Sequence, residues 1–246
     1  MNLYDRLHFL VRAWRYRLRG EKFGIAYLRS RDLKNKTAVD IGANRGIYSY
    51  WMHRQVGSEG RVVAFEPQPE LASYLTDLRQ SFGLKQLEIV ESGLSSQAGE
   101  LTLRRPKGHW GGASFDRFQD RIDGIDMIKT PVTTLDSYFA SNPSQPVSFI
   151  KCDVEGHEYE VFRGAGRILS EDRPELLFEC AHKNTPDVPV FTYLLSLGYE
   201  GYCFYRDGFA PVSEYRSLFN QLDKRALRDF VFVPREKSQG LLRRCA

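Results

Sequence analysis

The sequence predicts one α/β domain with a mostly parallel sheet of about seven strands, helices on both faces and an antiparallel strand at one edge. The first reason is composition, because 246 residues of which 42% are apolar, 13% aromatic and 27% charged are typical of a globular chain with a single core. The second is order, since short β-rich runs alternate with helical runs from Thr37 onward. The third is that several predicted strands end in an acid or a glycine, as they do at the ligand-binding edge of parallel sheets.

Residues 3–18 are predicted to form a basic amphipathic helix, because apolar side chains recur on one helical face and most arginines fall opposite. The apolar residues are Leu3, Leu7, Leu10, Val11, Trp14 and Leu18. Three roles fit this pattern: packing on the main domain, contact with an anionic membrane surface, and substrate binding or dimerisation. We assign residues 1–30 to this helix and its lead-in.

The main domain is predicted to span residues 31–236. Its strands are predicted at Ala38–Ile41, Val62–Phe65, Leu87–Val90, Phe149–Cys152, Glu175–Phe178, Tyr199–Tyr205 and Asp229–Val233. Its helices are predicted near residues 47–56, 69–82, 134–140, 157–169 and 189–197. Residues 95–132 are polar, glycine-rich and too long for an ordinary connection, so we expect an inserted hairpin whose 104–114 segment closes over the site as a lid. Residues 237–246 follow as a basic tail.

The formal net charge of +4 is concentrated at the ends of the chain. Residues 1–20 carry +4 and residues 235–246 carry +3, so residues 21–234 carry −3, which argues against a nucleic-acid-binding surface on the main domain. Four cysteines without paired or zinc-type spacing, and no secretory leader, indicate reduced thiols. The apolar runs are too short to span a membrane. We therefore expect a cytoplasmic protein, held peripherally at the inner membrane surface if residues 3–18 bind lipid.

The strongest local motif is Ala38-Val-Asp-Ile-Gly42-Ala-Asn-Arg-Gly46, in which an apolar strand leads through a glycine turn into a helix. Gly42 and Gly46 permit backbone conformations and close approaches that a Cβ atom would prevent, and the helix N-terminus presents free N–H groups. Such a turn is also found as a plain βα connection. It is more informative together with Glu66, which ends the next strand 24 residues after Gly42, close to the spacing at which such folds bind a ribose diol.

A third motif, Phe149-Ile-Lys-Cys-Asp153-Val-Glu155-Gly156-His157-Glu158, again runs from an apolar strand into acids, a glycine and a helix. Ligands bind outside the carboxyl ends of parallel strands. Acids at four strand ends are therefore expected to converge on one site: Asp40, Glu66, Asp153 and Glu179.

These blocks resemble the FkbM-type family of S-adenosylmethionine-dependent methyltransferases, which have the Rossmann-like class I fold. The matching blocks are Val39–Gly46, Phe65–Pro67, Thr134–Tyr138, Ile150–Gly156, Phe178–Cys180 and Phe230–Pro234. The resemblance covers about residues 37–234. Its most specific part is the Lys151-x-Asp153-x-Glu155-Gly156-x-Glu158 block followed by Gly164-Ala165.

The resemblance implies S-adenosylmethionine as cofactor and a role for each motif. The methionine end would be held by Asp40, Gly42, Asn44 and Gly46, the ribose hydroxyls by Glu66, and the adenine edge by Ser92 or Gly93. Asp153 is expected at the same edge of the sheet, as a further cofactor-binding residue. Such proteins often carry Asn or Asp after the third strand, where this chain has Ser92-Gly93.

Methyl transfer to an alcohol needs a group that accepts the hydroxyl proton, most often a histidine or a carboxylate. The candidates are Asp153, Glu155, His157, His182 and, in the lid, His109. His157 is expected at a helix N-terminus, where the dipole favours its neutral form. We assign no metal site, although Asp153, Glu155, Glu179 and His182 are also of the types that could hold a magnesium ion against sugar hydroxyls.

The resulting prediction is an O-methyltransferase acting on a sugar hydroxyl of a glycan, lipo-oligosaccharide or related carbohydrate. A polyketide, lipid or peptide acceptor is the alternative. A nicotinamide-dependent oxidoreductase is a distant one, because the Gly42-x-x-x-Gly46 turn lacks the paired glycines that approach a pyrophosphate. Acids at all four strand ends argue against a catalytically silent binding module. We expect a small-molecule or glycan acceptor and no nucleic acid.

Overall fold

The computed structural model describes residues 1–116, 123–143, 145–180, 188–205, 208–215, 217–218 and 228–242. Within these ranges the strands are β1 (Thr37–Ile41), β2 (Arg61–Phe65), β3 (Leu87–Val90), β4 (Gly93–Leu94), β5 (Gly99–Pro106), β6 (Ile125–Thr133), β7 (Val147–Cys152), β8 (Glu175–Glu179), β9 (Tyr199–Tyr205), β10 (Gly208–Pro211) and β11 (Asp229–Pro234). The helices are α1 (Leu3–Arg15), α2 (Lys22–Ser30), α3 (Ile47–Val56), α4 (Pro69–Phe82), α5 (Leu135–Ser141), α6 (Glu158–Arg163), α7 (Gly166–Glu171), α8 (Pro189–Ser196) and α9 (Arg235–Leu242).

The main sheet has the strand order β10-β9-β11-β8-β7-β1-β2-β3. Strands β3, β2, β1, β7 and β8 are parallel, whereas β11 lies antiparallel between β8 and β9. This confirms a mostly parallel sheet with an antiparallel edge. The described sheet has eight strands where about seven were predicted, because Gly208–Pro211 folds back on β9 as a short edge strand that ends at a proline.

The two faces of the sheet carry separate cores, because neighbouring residues of a buried strand point to opposite sides. Val39 and Ile41 of β1 pack with α5, α6, α7 and α8, whereas Ala38 packs with α1, α2, α3 and α4. Helices therefore cover both faces, as predicted. The helices predicted at residues 47–56 and 69–82 have those bounds in the structure.

The hairpin predicted within residues 95–132 is formed by β5 and β6, which pair antiparallel along their whole length. Strand β4 joins β6 in parallel, which completes a separate three-stranded sheet. Leu103, Phe115 and Val132 form its own small core. The insert is thus an independently packed layer beside the main sheet.

The N-terminal segment packs by a different face from the one predicted. Only Phe9 and Ala13 of α1 are buried, and Phe9 lies against Tyr50 and Phe82 of the main domain. The apolar face predicted from the periodicity points mainly to solvent. The helix also ends earlier than residue 18, because a π-helical turn, Tyr16–Gly20, connects α1 to α2.

Two other elements depart from the predicted pattern. The helix predicted at residues 157–169 is divided into α6 and α7, and at the break Gly164 approaches so closely that a Cβ atom there would lie 2.1 Å from the Ser95 carbonyl oxygen. Residues 235–242, predicted partly as tail, are helical. None of the helices in the described ranges combines the length and the apolar character that crossing a membrane requires.

Candidate active site

The glycine turn after β1 is built against the end of β7. Gly42 and Ala43 donate their backbone N–H groups to the Phe65 carbonyl, at 2.9 and 3.0 Å. Gly42 has φ of +72°, and a Cβ atom on it would lie 2.0 Å from the Asp153 carbonyl oxygen. Only glycine satisfies both conditions. The turn therefore fixes the ends of β1 and β7 side by side.

Glu66, at the end of β2, is almost fully buried and organises this turn. Its Oε2 accepts the Asn44 N–H at 2.7 Å, and its Oε1 accepts the Gln68 N–H at 3.0 Å. Burial raises the pKa of Glu66 to about 7, although these hydrogen bonds lower it. The carboxylate has further lone pairs with which to accept hydroxyl groups from a ligand.

A pocket of about 590 Å³ opens beside Glu66. Its walls come from the turn, the end of β2, the insert and the end of β7, and include Phe65, Glu66, Ser92, Gly93, Leu94, Leu103, Trp110, Phe115, Asp153 and Glu155. Phe115 lies so close to Gly93 that a Cβ atom there would be 2.7 Å from its ring. The Ser92 hydroxyl is within 3.0 Å of the Pro131 carbonyl, which ties this wall to β6. We call this the apolar pocket.

A second pocket, of about 1260 Å³ with the open solvent at its mouth included, adjoins the first and has a lining that is more polar than that of the first. Its lining includes Arg12, Tyr16, Glu21, Asp40, Arg45, Tyr48, His109, Lys151 and Asp153. Four residues line both pockets: Gly42, Asn44, Trp110 and Asp153. Because these four lie at the junction, a group bound in one pocket can reach a group bound in the other. We call the second one the polar pocket.

The floor of the polar pocket holds a buried ion cluster. Lys151 Nζ lies 2.9 Å from Asp153 Oδ2, and Asp40 accepts the Ser49 hydroxyl at 2.6 Å. Burial alone would lower the pKa of Lys151, but Asp153 and Asp40 outweigh it and raise that pKa above its usual value. Burial also raises the pKa of Asp40, against the effect of Lys151. The lysine therefore stays charged, forms an ion pair with Asp153 and acts on Asp40 through its electrostatic field.

Further acids crowd the same edge of the sheet. Burial, together with the charges of Asp153 and Glu155, raises the pKa of Glu179 to about 7. Burial raises the pKa of Asp229, its partner on β11, to about 8. The pKa of Glu21 is also raised by burial, while Lys151 lowers it. Burial, together with the repulsion between neighbouring acids, is why these carboxyls hold protons more readily than isolated ones, and the positive charge of Lys151 offsets only part of this effect.

One wall of the polar pocket comes from the N-terminal segment. Substrate binding was one of the three roles that the sequence left open for this segment. Arg12 and Tyr16 face the pocket, and Glu21 accepts the Tyr48 hydroxyl at 3.0 Å. Gly24 makes room for this contact, since a Cβ atom there would lie 2.2 Å from the Tyr48 oxygen. The segment is thus anchored to α3 at the pocket itself.

The loop after β5 covers the junction of the two pockets, where the lid was predicted. Gln68 connects this loop to Glu66, because its Nε2 donates hydrogen bonds to the Trp110 carbonyl at 3.1 Å and to Glu66 Oε1 at 3.3 Å. The Trp110 ring lies under the Arg45 guanidinium, 5.1 Å from its carbon atom. The loop is therefore held from both sides of the junction.

The predicted site residues are distributed unevenly. Asp40, Gly42, Asn44, Glu66, Ser92, Gly93, Asp153 and Glu155 all line one pocket or both. Gly46 does not line either pocket, because it faces α4, where a Cβ atom would lie 2.6 Å from Leu75. Glu155 has φ of +55°, and its carbonyl accepts the Ser114 hydroxyl at 2.9 Å. His182 lies outside the described residues.

His157 lines neither pocket, which argues against its predicted role as general base. Its Nδ1 lies 2.6 Å from Asp116 Oδ2 and its Nε2 lies 3.0 Å from the Ser95 hydroxyl, and the ring is buried against Phe115. Both ring nitrogens are occupied by protein groups, so the side chain fastens the insert to the main domain. The sequence correctly predicted that His157 lies at the start of a helix. That position does not determine the direction in which the ring points.

Lys151, Glu21 and Arg12 line the polar pocket, although the sequence analysis gave none of them an individual role. Lys151 stands in the most specific family block and is a charged residue inside the apolar run Phe149–Cys152, and these were the available signals for it. Nothing local marks Arg12 or Glu21. Within the described ranges no group of three or more His, Cys, Asp or Glu side chains has the arrangement of a metal site.

The sequence of this chain matches a known protein family and individual proteins of known activity. The methyltransferase FkbM domain matches residues 40–200. Methyltransferase sdnD of Sordaria araneosa is 27% identical over 157 residues, which cover 53% of this chain and 60% of that protein. Hexuronic acid methyltransferase AglP of Haloferax volcanii is 28% identical over 157 residues, which cover 63% of this chain and 61% of that protein. The chain thus spans about three-fifths of the length of these relatives.

Solved structures share the fold. The crystal structure of methyltransferase FkbM from Methylobacillus flagellatus KT has a TM-score of 0.53 and 20% identity, covering 81% of this chain and 44% of that one. A putative rRNA-methylase from Clostridium thermocellum has a TM-score of 0.52 and 11% identity, covering 86% and 92%. The fold is the class I methyltransferase fold. Since the family match runs from β1 to the start of β9, the protein belongs to the FkbM methyltransferase family.

Proposed function

We propose that the protein transfers a methyl group from S-adenosylmethionine to a hydroxyl group of a carbohydrate. The observation that carries the proposal is the pair of adjoining pockets. An apolar pocket with one buried carboxylate suits a nucleoside, and a polar pocket rich in charged groups suits a polyol. The two meet at Gly42, Asn44, Trp110 and Asp153, where transfer would take place.

The apolar pocket fits the cofactor by its chemistry. Glu66 lines it and keeps acceptor capacity for a ribose hydroxyl beside the three hydrogen bonds it accepts from the protein, and the wall formed by Ser92–Leu94 and Phe115 suits a flat base. Gly42 and Asn44 line the junction of the pockets, beside which the methionine end would lie. S-adenosylmethionine supplies, when bound, a methyl group on a positively charged sulfur. Trp110 lies at the junction, where exclusion of water around a bound cofactor would favour a step in which charge disperses.

The polar pocket favours a sugar over a polyketide or lipid acceptor, because its lining contains six charged side chains, Arg12, Glu21, Asp40, Arg45, Lys151 and Asp153, beside its apolar and aromatic groups. Arg12 and Arg45 reach into it, and neither forms an ion pair with a carboxylate among the described residues. Two guanidinium groups of this kind suit an acidic sugar, with which they form charge-assisted hydrogen bonds. The relative AglP is a hexuronic acid methyltransferase, which supports the same class.

Asp153 is the best-placed group to accept the hydroxyl proton, because among the candidate bases it alone lines both pockets. As the acceptor oxygen takes the methyl group, its O–H bond breaks and the proton passes to the Asp153 carboxylate. Lys151, 2.9 Å away, keeps that carboxylate oriented. Glu155 lines the apolar pocket only, which favours Asp153 over it.

Transfer of a labelled methyl group to a panel of acceptors tests the proposal. We expect label on a uronic acid glycoside, less on its neutral counterpart, and none on a long-chain alcohol. The Asp153→Asn variant should lower kcat by about 10²-fold or more, with Glu160→Gln, outside both pockets, as the matched control. Label on the alcohol but not on sugars, or full activity of Asp153→Asn, would contradict the proposal.

A further inference from the structure

The N-terminal segment presents an unusual outer surface. Six of its large apolar side chains are 47% to 75% exposed: Leu3, Tyr4, Leu7, Val11, Trp14 and Leu18. We call these six the N-terminal apolar stripe. With Phe23, they are seven of the ten exposed large apolar side chains in the described part of the chain. So much apolar surface gathered on one element marks a contact site.

The spacing of the stripe makes it a continuous surface. Leu3, Leu7, Val11, Trp14 and Leu18 follow one another at intervals of three or four residues, which aligns them along one side of a helix. The side chains that attach the helix to the protein, Phe9 and Ala13, lie on its opposite side. The stripe is therefore exposed along most of its length, and Trp14, which is 47% exposed, is the member that also contacts the main domain, through the edge of Trp51.

Positive charge borders the stripe on both sides. Arg15 and Arg19 are exposed along one side, and Arg6 is exposed and Arg17 partly exposed along the other. Arg17 also stacks on Trp14, with its guanidinium carbon 4.5 Å from the ring centre. The one acid within α1, Asp5, is engaged in the capping box with Asn2. An apolar band between arginines matches the depth profile of a bilayer with anionic head groups.

We propose that the N-terminal apolar stripe docks the protein on the surface of an anionic lipid bilayer. A second copy of this chain is the less suitable occupant, because two stripes packed face to face would bring Arg6 and Arg15 of each copy against arginines of the other. A bilayer receives the apolar side chains and pairs the arginines with lipid phosphates at the same time. The helix would lie in the plane of the interface.

The N-terminal segment also forms part of the polar pocket, so docking of the segment would affect where that pocket lies relative to the membrane. Arg12 and Tyr16, between stripe residues in the chain, line the polar pocket. Docking through the stripe would therefore hold the mouth of that pocket close to the lipid surface. This step rests on the proposed function, since it treats the polar pocket as the acceptor site. The acceptor class it favours is a carbohydrate carried at the membrane surface.

Vesicle flotation of the full chain tests the docking. The probes are phosphatidylcholine vesicles and vesicles with about one-third phosphatidylglycerol, at low and high salt. We expect binding to the anionic vesicles, weakened by salt, and little to the neutral ones. The Leu7→Gln, Val11→Gln double variant should bind about tenfold or more weakly, and the Arg15→Gln, Arg19→Gln double variant should also bind more weakly.

The matched control removes two exposed apolar side chains elsewhere, Met127→Gln with Leu195→Gln, and should bind vesicles like the parent. Affinity for S-adenosylhomocysteine should be unchanged in every variant, which shows that each is folded and separates failure of docking from failure of the proposed function. Absence of anionic-vesicle binding by the parent, or equal losses in the stripe and control variants, would overturn the proposal. A dimer that the stripe variant abolishes would overturn it in favour of self-association.

Discussion

The Glu66→Ala substitution is the most informative single change, because the hydrogen bonds of Glu66 allow the loss of ligand affinity to be estimated. The Glu66 carboxylate accepts three hydrogen bonds within the protein, from the backbone N–H groups of Asn44 and Gln68 and from the Gln68 side-chain amide, and it lines the apolar pocket. A hydrogen bond to a charged group contributes about 1.5–3 kcal/mol. Loss of the ribose contact should therefore weaken binding of S-adenosylhomocysteine by about 10- to 150-fold.

Calorimetric titration at about pH 8 is the suitable assay, since the pKa of Glu66 is raised to about 7 and the carboxylate should be ionised. Removing the carboxylate also leaves the Asn44 and Gln68 N–H groups without their acceptor, so thermal unfolding must show that the variant is folded. Glu59→Ala, an exposed acid at the other end of β2, is the matched control. Unchanged affinity in folded Glu66→Ala protein would refute the assignment, as would a preference of the parent for NAD.

Three further predictions concern stability. Gly42→Ala places a Cβ atom 2.0 Å from a carbonyl oxygen at a φ of +72°, so its free energy of unfolding should fall by about 2–5 kcal/mol in denaturant titration. His157→Ala should lower the free energy of unfolding by about 1–3 kcal/mol, because it removes the buried ring and its hydrogen bonds to Asp116 and Ser95. The pH profile of kcat should keep its shape. Because burial raises the pKa of Glu66 from 4.5 to about 7, the folded state holds that proton longer than the unfolded state. The unfolding free energy should therefore decrease as pH rises from about 4.5 to 7, by on the order of 3 kcal/mol at most, in titrations at several pH values.

Each of these predictions has a control. Gly83→Ala has a similar φ, +61°, but open space around it, so it should cost only about 1 kcal/mol, and an equal cost at both glycines would show that the clash is unimportant. Loss of one limb of the kcat profile in His157→Ala would restore that histidine as the base. Glu66→Gln should flatten the pH dependence of stability between about 4.5 and 7, and a slope identical to that of the parent would assign it to other acids, such as Glu179.

The sequence predicted those parts of the fold that local pattern determines. The bounds of α3 and α4 follow from helical periodicity between a glycine or proline start and a glycine end, and the central strands from apolar runs that end in acids. The placement of Glu66 follows from the same logic. These features depend on a few neighbouring residues and on the general geometry of parallel sheets.

The remaining features depend on contacts between distant segments. The periodicity of residues 3–18 identified an apolar face correctly but not its direction, because Phe9 fills a space between Tyr50 and Phe82 that exists only in the folded domain. The direction of the His157 ring is determined by Asp116 and Ser95, 41 and 62 residues away. The wall formed by Arg12 and Glu21 likewise arises from packing across the chain.

The hydrogen bonds of Gln68 bear on any attempt to give this enzyme a new acceptor by grafting the insert of a relative. One side chain joins the Glu66 carboxylate to the Trp110 carbonyl, and its Oε1 accepts from Arg105 of β5 at 3.1 Å. An exchanged loop without a matching partner would therefore disturb the apolar pocket as well as the polar pocket. The unit to transplant is the hairpin together with the residue at position 68, and a chimera that respects this boundary should keep its affinity for the cofactor.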